Sequence, residues 1–376
     1  MLRLKILLKR VKVVQTLYFN SFIWRFRLLT FIGDYGEINK FINSIKGKRM
    51  YKLISKLTLV LSLILFTSVN SNAFDPNNTK CIAPANPGGG WDFTCRAVGK
   101  TLQDLGLING SMEVTNMAGG GGGKAFAEVV NKRNNDDTLI VAASSATATR
   151  LAQGAYPGNT QDQVRWLGTV GADYGVIAVA ADAPINTLGG LLEMIKENPR
   201  KVTIGGGSAV GGWDHLKVLL AAKEYGYQDV RKIKYVAFDG GGDAITQLMA
   251  GNVQAFTGDL SEAIGFVDAG DIRVLAVLSP DRIPGKFSNM PTAKEQGINV
   301  IGANWRGFYV PGGMSDDAYN YWANAIAKTY ASPQWKQTMA KNGLAPLDLT
   351  GKEFQSFVSG SIASIQDLSR QIGLIK

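Results

Sequence analysis

The chain has 376 residues, a formal net charge of +10, one histidine and two cysteines. Taken whole, that charge points to nucleic acid or a membrane surface. Its distribution excludes nucleic acid: residues 1–49 hold 11 Lys or Arg against 2 Asp or Glu, residues 50–73 add only Lys52 and Lys56, and 27 basic residues face 28 acidic ones in 74–376.

Residues 50–73, "MYKLISKLTLVLSLILFTSVNSNA", read as a basic n-region, a ten-residue apolar run (57–66) and the small-x-small site Ser71-Asn72-Ala73. These are the parts of a secretory signal peptide, and the run is too short for a stable membrane span. An uncleaved anchor is the alternative. The expected product starts at Phe74 and is exported to the periplasm. Residues 1–49 then stand ahead of a signal that works from the N-terminus. They are read as a mis-assigned or unstructured extension, with Met50 as the start; the alternative is a membrane-binding segment around "FNSFIWRFRLLTF".

The exported chain is long enough for a large core and two domains. Candidate strands lie at 80–84, 112–116, 138–144, 175–181, 201–206, 233–238, 253–258, 272–279 and 306–312. Helical candidates fall between most of them. In "WDFTCRAVGKTLQDL" the spacing puts Phe93, Ala97 and Leu105 near one face, with Val98 and Leu102 beside them. From Ser315 onward the pattern is helical only. Alternating strands and helices predict parallel sheets and an α/β class. Cys81 and Cys95 form an even pair in an oxidising compartment and are read as a disulfide, two buried thiols being the alternative.

Reactive groups are scarce. His215 is the only histidine, no G-x-S-x-G elbow is present, and one His with two Cys makes no common metal site. No cofactor and no metal are expected. "AGGGGGKA" (118–125) fails as a phosphate loop, because Ala118 stands at the first Gly position and Ala125 at the hydroxyl position. What recurs is a Gly-rich segment after a strand and before a helix: "NPGGGWD", "NMAGGGGGK", "GGGSAVGGWD" and "FDGGGDA", with "SSATAT" in the same place. Such loops lie at the carboxyl ends of parallel strands, where ligands bind. They present N–H groups at helix N-termini, which favour anions. "PGGGWD" is read as a carboxylate wrap, with Trp91 as a wall and Asp92 near the helix N-cap. Gly89 and Gly211 are read as glycines so that a ligand can touch the main chain.

From about Cys81 onward the chain resembles the extracytoplasmic receptors of tripartite tricarboxylate transporters, the citrate-type Bug receptors. The resemblance rests on "CIAPANPGGGWDFTCR", "GGGSAVGGWDHL", "YVAFDGGGDAITQLMAGNVQAF", "IRVLAVLSPDR", "MPTAKEQG" and "NWRGFYVPGGMSDD". It implies a two-lobed type II periplasmic binding protein of α/β class with the ligand cleft between lobes. Lobe one would comprise 74–175 and 300–376, and lobe two 176–299, with hinge crossings near 175–180 and 305–310. By position, the resemblance assigns ligand contacts to Pro87, Gly88, Gly89, Gly90, Trp91 and Asp92 in the first loop. It adds Ser144 and Ser145, then Ser208, Val210, Gly211 and Gly212 in the second lobe, and puts Asp259 at the distal end of the ligand. The implied ligand is a small, citrate-like di- or tricarboxylate, delivered by a monomer to membrane components of such a transporter, with no reaction performed. The alternative is a secreted hydrolase or isomerase using Asp and His215.

Overall fold

The protein is described by a computed structural model covering residues 74–376. The expected signal peptide (50–73) and the extension before it (1–49) lie outside the described residues. Strands β1 (Lys80–Ala83), β2 (Glu113–Asn116) and β3 (Leu139–Ser144) alternate with helices α1 (Gly90–Asp104), α2 (Gly123–Lys132) and α3 (Ser145–Ala152). Strand β4 (Val164–Ala180) follows, then α4 (Leu188–Glu197) and a second alternation of β5 (Thr203–Gly206), α5 (Trp213–Glu224), β6 (Lys234–Ala237), α6 (Gly241–Met249), β7 (Ala255–Asp259), α7 (Leu260–Ala269) and β8 (Ile272–Val277). Strand β9 (Ala303–Pro311) leads into α8 (Asp316–Ala331), α9 (Pro333–Asn342) and α10 (Gly351–Gln371).

The strands hydrogen-bond in the order β2-β1-β3-β9-β4-β7-β5-β6, with β8 also on β4. β1 is parallel to β2 and β3, and β5 is parallel to β6 and β7. The expected parallel pairing holds within each half-sheet, while β4 and β9 run antiparallel to all their neighbours. These are the strands by which the chain passes from one half-sheet to the other.

β4 has 17 residues, and the sequence pattern showed only its second half. Its first half is interrupted at Gly168 and Gly171, where the register against β9 shifts. Those bulges break the alternation that a strand is recognised by. Tyr174 still pairs with Ala303 in the first half-sheet, and the next residue, Gly175, pairs with Asp259 in the second. The other crossing was expected at 305–310. Those residues instead lie inside the pairing of β9 with β3 and β4, and the changeover is at Gly302, which bonds to Leu278 and Gly175.

Helix α1 also differs from its expected face. Trp91, Cys95, Val98 and Leu102 are buried, while Phe93, Ala97 and Leu105 are half-buried. Cys95 is bonded to Cys81, with Cα atoms 5.8 Å apart, and this tether turns the Cys95 side of the helix onto β1. The three largest fully buried side chains, Trp166, Trp322 and Trp335, each donate their indole N–H to a carbonyl, whereas the buried Trp305 N–H has no partner among the described residues. Trp322 donates to Asp137 at 3.0 Å, Trp335 to Val170 at 2.7 Å and Trp166 to Gln161 at 3.2 Å. Each of these three rings thus buries its apolar area without stranding its one polar atom.

Candidate functional site

The loops that follow β1, β2, β3, β5 and β6 converge from the two half-sheets. Asn86, after β1, donates its main-chain N–H to the Asp239 carbonyl at 2.8 Å and its side-chain amide to Asp243 at 2.8 Å, both beyond β6. Gln153 donates to the Gly211 carbonyl at 2.7 Å, and Arg150 to the Val210 carbonyl at 3.2 Å. These bonds shut a cavity of about 150 Å³ lined by Pro84, Trp91, Gly120, Gly121, Ala146, Arg150, 207–209, Gly212 and 237–239. It is smaller than the several hundred Å³ of drug-sized sites and suits a small metabolite.

Of the residues singled out from sequence, Trp91, Ser208 and Gly212 line this cavity. Most of the others, and Gly212 itself, have partners in the protein. The Gly88 N–H donates to the Asp92 carboxylate at 3.0 Å, Gly89 to the Asn86 carbonyl at 3.1 Å, and Gly90 to Glu262 at 2.8 Å. Gly211 donates to His215 Nδ1 at 3.0 Å, and Gly212 to the Ala209 carbonyl at 2.7 Å. Five of the amides expected to bind an anion are therefore used within the fold. Ser144 Oγ caps α3, accepting from Ala146, and also accepts the Trp91 indole N–H at 3.1 Å. Ser145 Oγ joins the Ala303 carbonyl to the Trp305 N–H. Val210 is 61 % exposed and Pro87 is exposed.

Gly89 and Gly211 have reasons within the chain to be glycine. A Cβ on Gly89 would stand 3.3 Å from Gly240 Cα across the cleft and 3.0 Å from Ala85 Cβ. Gly211 has φ +77°, a left-handed conformation that side chains disfavour, and an added Cβ would meet only the Gln153 amide, at 3.6 Å. Close approach of loop to loop at Gly89 and turn geometry at Gly211 each favour glycine by themselves.

Asp259 was expected to face the ligand. It is buried, and its carboxylate accepts from Lys217 at 2.8 Å, Arg306 at 2.9 Å and the Asn304 amide. Lys217 also pairs with Asp214 at 2.9 Å and Arg306 with Asp173 at 2.8 Å. Burial pushes the Asp259 carboxyl up, and the two cations more than reverse this, holding it below the usual range. Burial raises Asp173 and Asp214 instead, with Arg306 and Lys217 only partly opposing it. This network ties α5, β7, β4 and β9 together at the crossing strands. Glu262, on α7, lies beside it. Burial, then Asp259 and Asp214, push its carboxyl up to about 7.

His215 accepts the Gly211 N–H and stacks on Tyr235, with ring centroids 4.4 Å apart. Burial pushes its pKa down to about 4. It holds a loop in place as a neutral ring.

Arg150, Glu262, Arg306 and Lys217 were not singled out from sequence. Each is a lone charged residue in a helix or strand, and its spacing is that of a solvated face. Lys217 follows Asp214 by three residues on α5, a pairing legible in principle.

Residues 110–374 match the family model described as "Tripartite tricarboxylate transporter family receptor". Protein BugT of Bordetella pertussis is 24% identical over 331 residues, covering 85% of this chain and 98% of that one. The matches to the first two curated relatives span 62% and 60% of those proteins' lengths. A Rhodopseudomonas palustris protein solved with adipate superposes with a TM-score of 0.71 at 20% identity, covering 79% of this chain and 97% of that one. MatC of the same organism, solved with bound malate, gives 0.67 at 17%, covering 78% and 99%. These likenesses show a shared fold, the mixed α/β two-lobed form of periplasmic binding proteins.

Proposed function

The chain belongs to the tripartite tricarboxylate transporter receptor family, and we propose that it is an exported solute receptor that closes on a small carboxylate and performs no reaction on it. The observation that carries this is the place of the cavity. It lies between loops at the carboxyl ends of parallel strands of both half-sheets, and bonds from one set of loops to the other shut it. A solute enters only when the halves separate about β4 and the segment before β9. Its capture is then recorded as a change of shape that a membrane partner can sense. Structural relatives solved with adipate and malate support a carboxylate ligand.

The engaged loop amides bear on how the ligand is held. Five of the amides expected to grip it instead bind protein groups that set the loop conformations. The ligand would meet the Trp91 wall, the 207–209 main chain and Arg150. A citrate-like tricarboxylate remains within the proposed class, as do delivery to a tripartite transporter, periplasmic location and a monomeric receptor. Neutral His215, used as a hydrogen-bond acceptor, supports binding over hydrolysis.

A thermal-shift screen of 74–376 against mono-, di- and tricarboxylates tests this. A true ligand stabilises by RT ln(1 + [L]/Kd), about 2.7 kcal/mol at a hundredfold excess over Kd. Equal melting temperatures with every carboxylate would reject the proposal.

A further inference from the structure

We propose that Arg150 reads a second carboxylate on the ligand, making the receptor selective for dicarboxylates over monocarboxylates of the same length; this rests on the receptor assignment above. Arg150 is the only cationic side chain lining the cavity. It extends from α3 across to the opposite loop. Among the described residues its guanidinium pairs with no carboxylate. Nη1 donates to two neutral oxygens, Gln153 Oε1 at 3.1 Å and the Val210 carbonyl at 3.2 Å. Nε is buried and has no acceptor. A half-buried guanidinium with an idle donor is a desolvated charge short of its counter-ion. A ligand carboxylate supplies both the charge and the missing acceptor, in the planar geometry for which Arg is suited.

The surroundings agree. The Gly88, Gly89, Gly90, Gly211 and Gly212 amides are already bonded, which leaves the 207–209 main chain for one carboxylate and Arg150, the cavity's one cationic side chain, for a second. Asp239, the one acidic lining residue, is exposed to water, and its carbonyl already accepts from Asn86. The buried cations Lys217 and Arg306 are each matched by two carboxylates and have no charge to offer. Arg150 also has a second task, since its bond to Val210 helps shut the cleft. Losing closure weakens all ligands alike, whereas losing a carboxylate partner weakens only those with a second carboxylate. The ratio separates the two.

Calorimetric titration of wild type, Arg150→Gln and Arg150→Lys with adipate against hexanoate, and malate against 3-hydroxybutyrate, provides the test. Wild type is expected to prefer the better diacid over its matched monoacid by at least tenfold. Arg150→Gln should weaken that diacid by about 10- to 150-fold, the range for a charge-assisted hydrogen bond. The monoacid should change by less than about threefold on the same scale. Arg150→Lys should keep part of the preference, which shows that the fold survives substitution. An equal loss for diacid and monoacid in Arg150→Gln assigns Arg150 to closure alone and overturns the proposal. So does a wild type that binds monoacids as well as diacids, though that result leaves the receptor assignment standing. A wild type that binds no carboxylate overturns both.

Discussion

Glu262 Oε1 accepts the main-chain N–H of Gly90 at 2.8 Å, joining residues 172 positions apart that belong to opposite half-sheets. The same oxygen accepts from Gly241 at 3.2 Å, and Oε2 accepts from Asp259 at 3.1 Å. One carboxylate thus serves the N-terminal ends of α1 and α6 across the cleft. The glycine loop that reads in sequence as an anion site is occupied by a carboxyl group, and that group is the protein's own.

That placement predicts a pH dependence. The Glu262 pKa is raised to about 7 from 4.5, by burial first and then by Asp259 and Asp214, with Arg306 opposing. Between those values the folded state keeps a proton that the unfolded state has lost, so this group's contribution to stability falls as pH rises through the window. His215 has the opposite sign. Burial holds its pKa near 4 against 6.5 unfolded, so its contribution is lost as pH falls. Melting curves from pH 4.5 to 7 should show wild type gaining on Glu262→Gln as pH is lowered. The gap between wild type and His215→Gln should move the other way. A constant offset between wild type and Glu262→Gln would contradict this account of Glu262.

Gly89→Val and Gly211→Val should fail differently. At Gly89 the added side chain meets Gly240 across the cleft, so closure and carboxylate affinity should fall by tenfold or more, on the order of 1.4 kcal/mol, while the ligand-free melting temperature moves little. At Gly211 the strain is in the backbone, and roughly 1–3 kcal/mol of stability should be lost. Gly211→Asn, which tolerates left-handed φ better, should recover much of it. Calorimetry and denaturant melts of the three variants check this.

Asp259→Ala should unfold the crossing rather than retune the ligand. It leaves Lys217 and Arg306 each with one carboxylate fewer in a buried site. Breaking a buried pair costs about 3–5 kcal/mol. Urea denaturation should show that loss, and a variant of wild-type stability with altered ligand preference would return Asp259 to the ligand site.

Reduction of the Cys81–Cys95 bond should destabilise without abolishing the fold. The bridge closes 14 positions of sequence and clamps the first glycine loop between β1 and α1. Such a loop contributes about 3 kcal/mol. Thiol titration of the unfolded, unreduced chain should find no free thiol.

Much of the fold was legible because most of its strands are short apolar runs bounded by glycine. The exceptions have local causes. Gly168 and Gly171 interrupt β4, and the Cys81–Cys95 tether sets the buried face of α1. The site was less legible. Glycine loops announce that something approaches the main chain, but not what. At Gly89 it is Gly240, at Gly90 it is Arg306 and Glu262, and neither follows from spacing. Arg150 offered no signal beyond its place after "SSATAT". Its meaning comes from Val210, 60 positions away, and from having no acid beside it.

The most direct measurement is a calorimetric titration of 74–376 with adipate, malate and citrate, followed by NMR of the recovered solute. The account predicts that at least one binds with one molecule per chain, and that every solute returns chemically unchanged after prolonged incubation. Conversion of the bound solute, or no binding by any of the three, would contradict it.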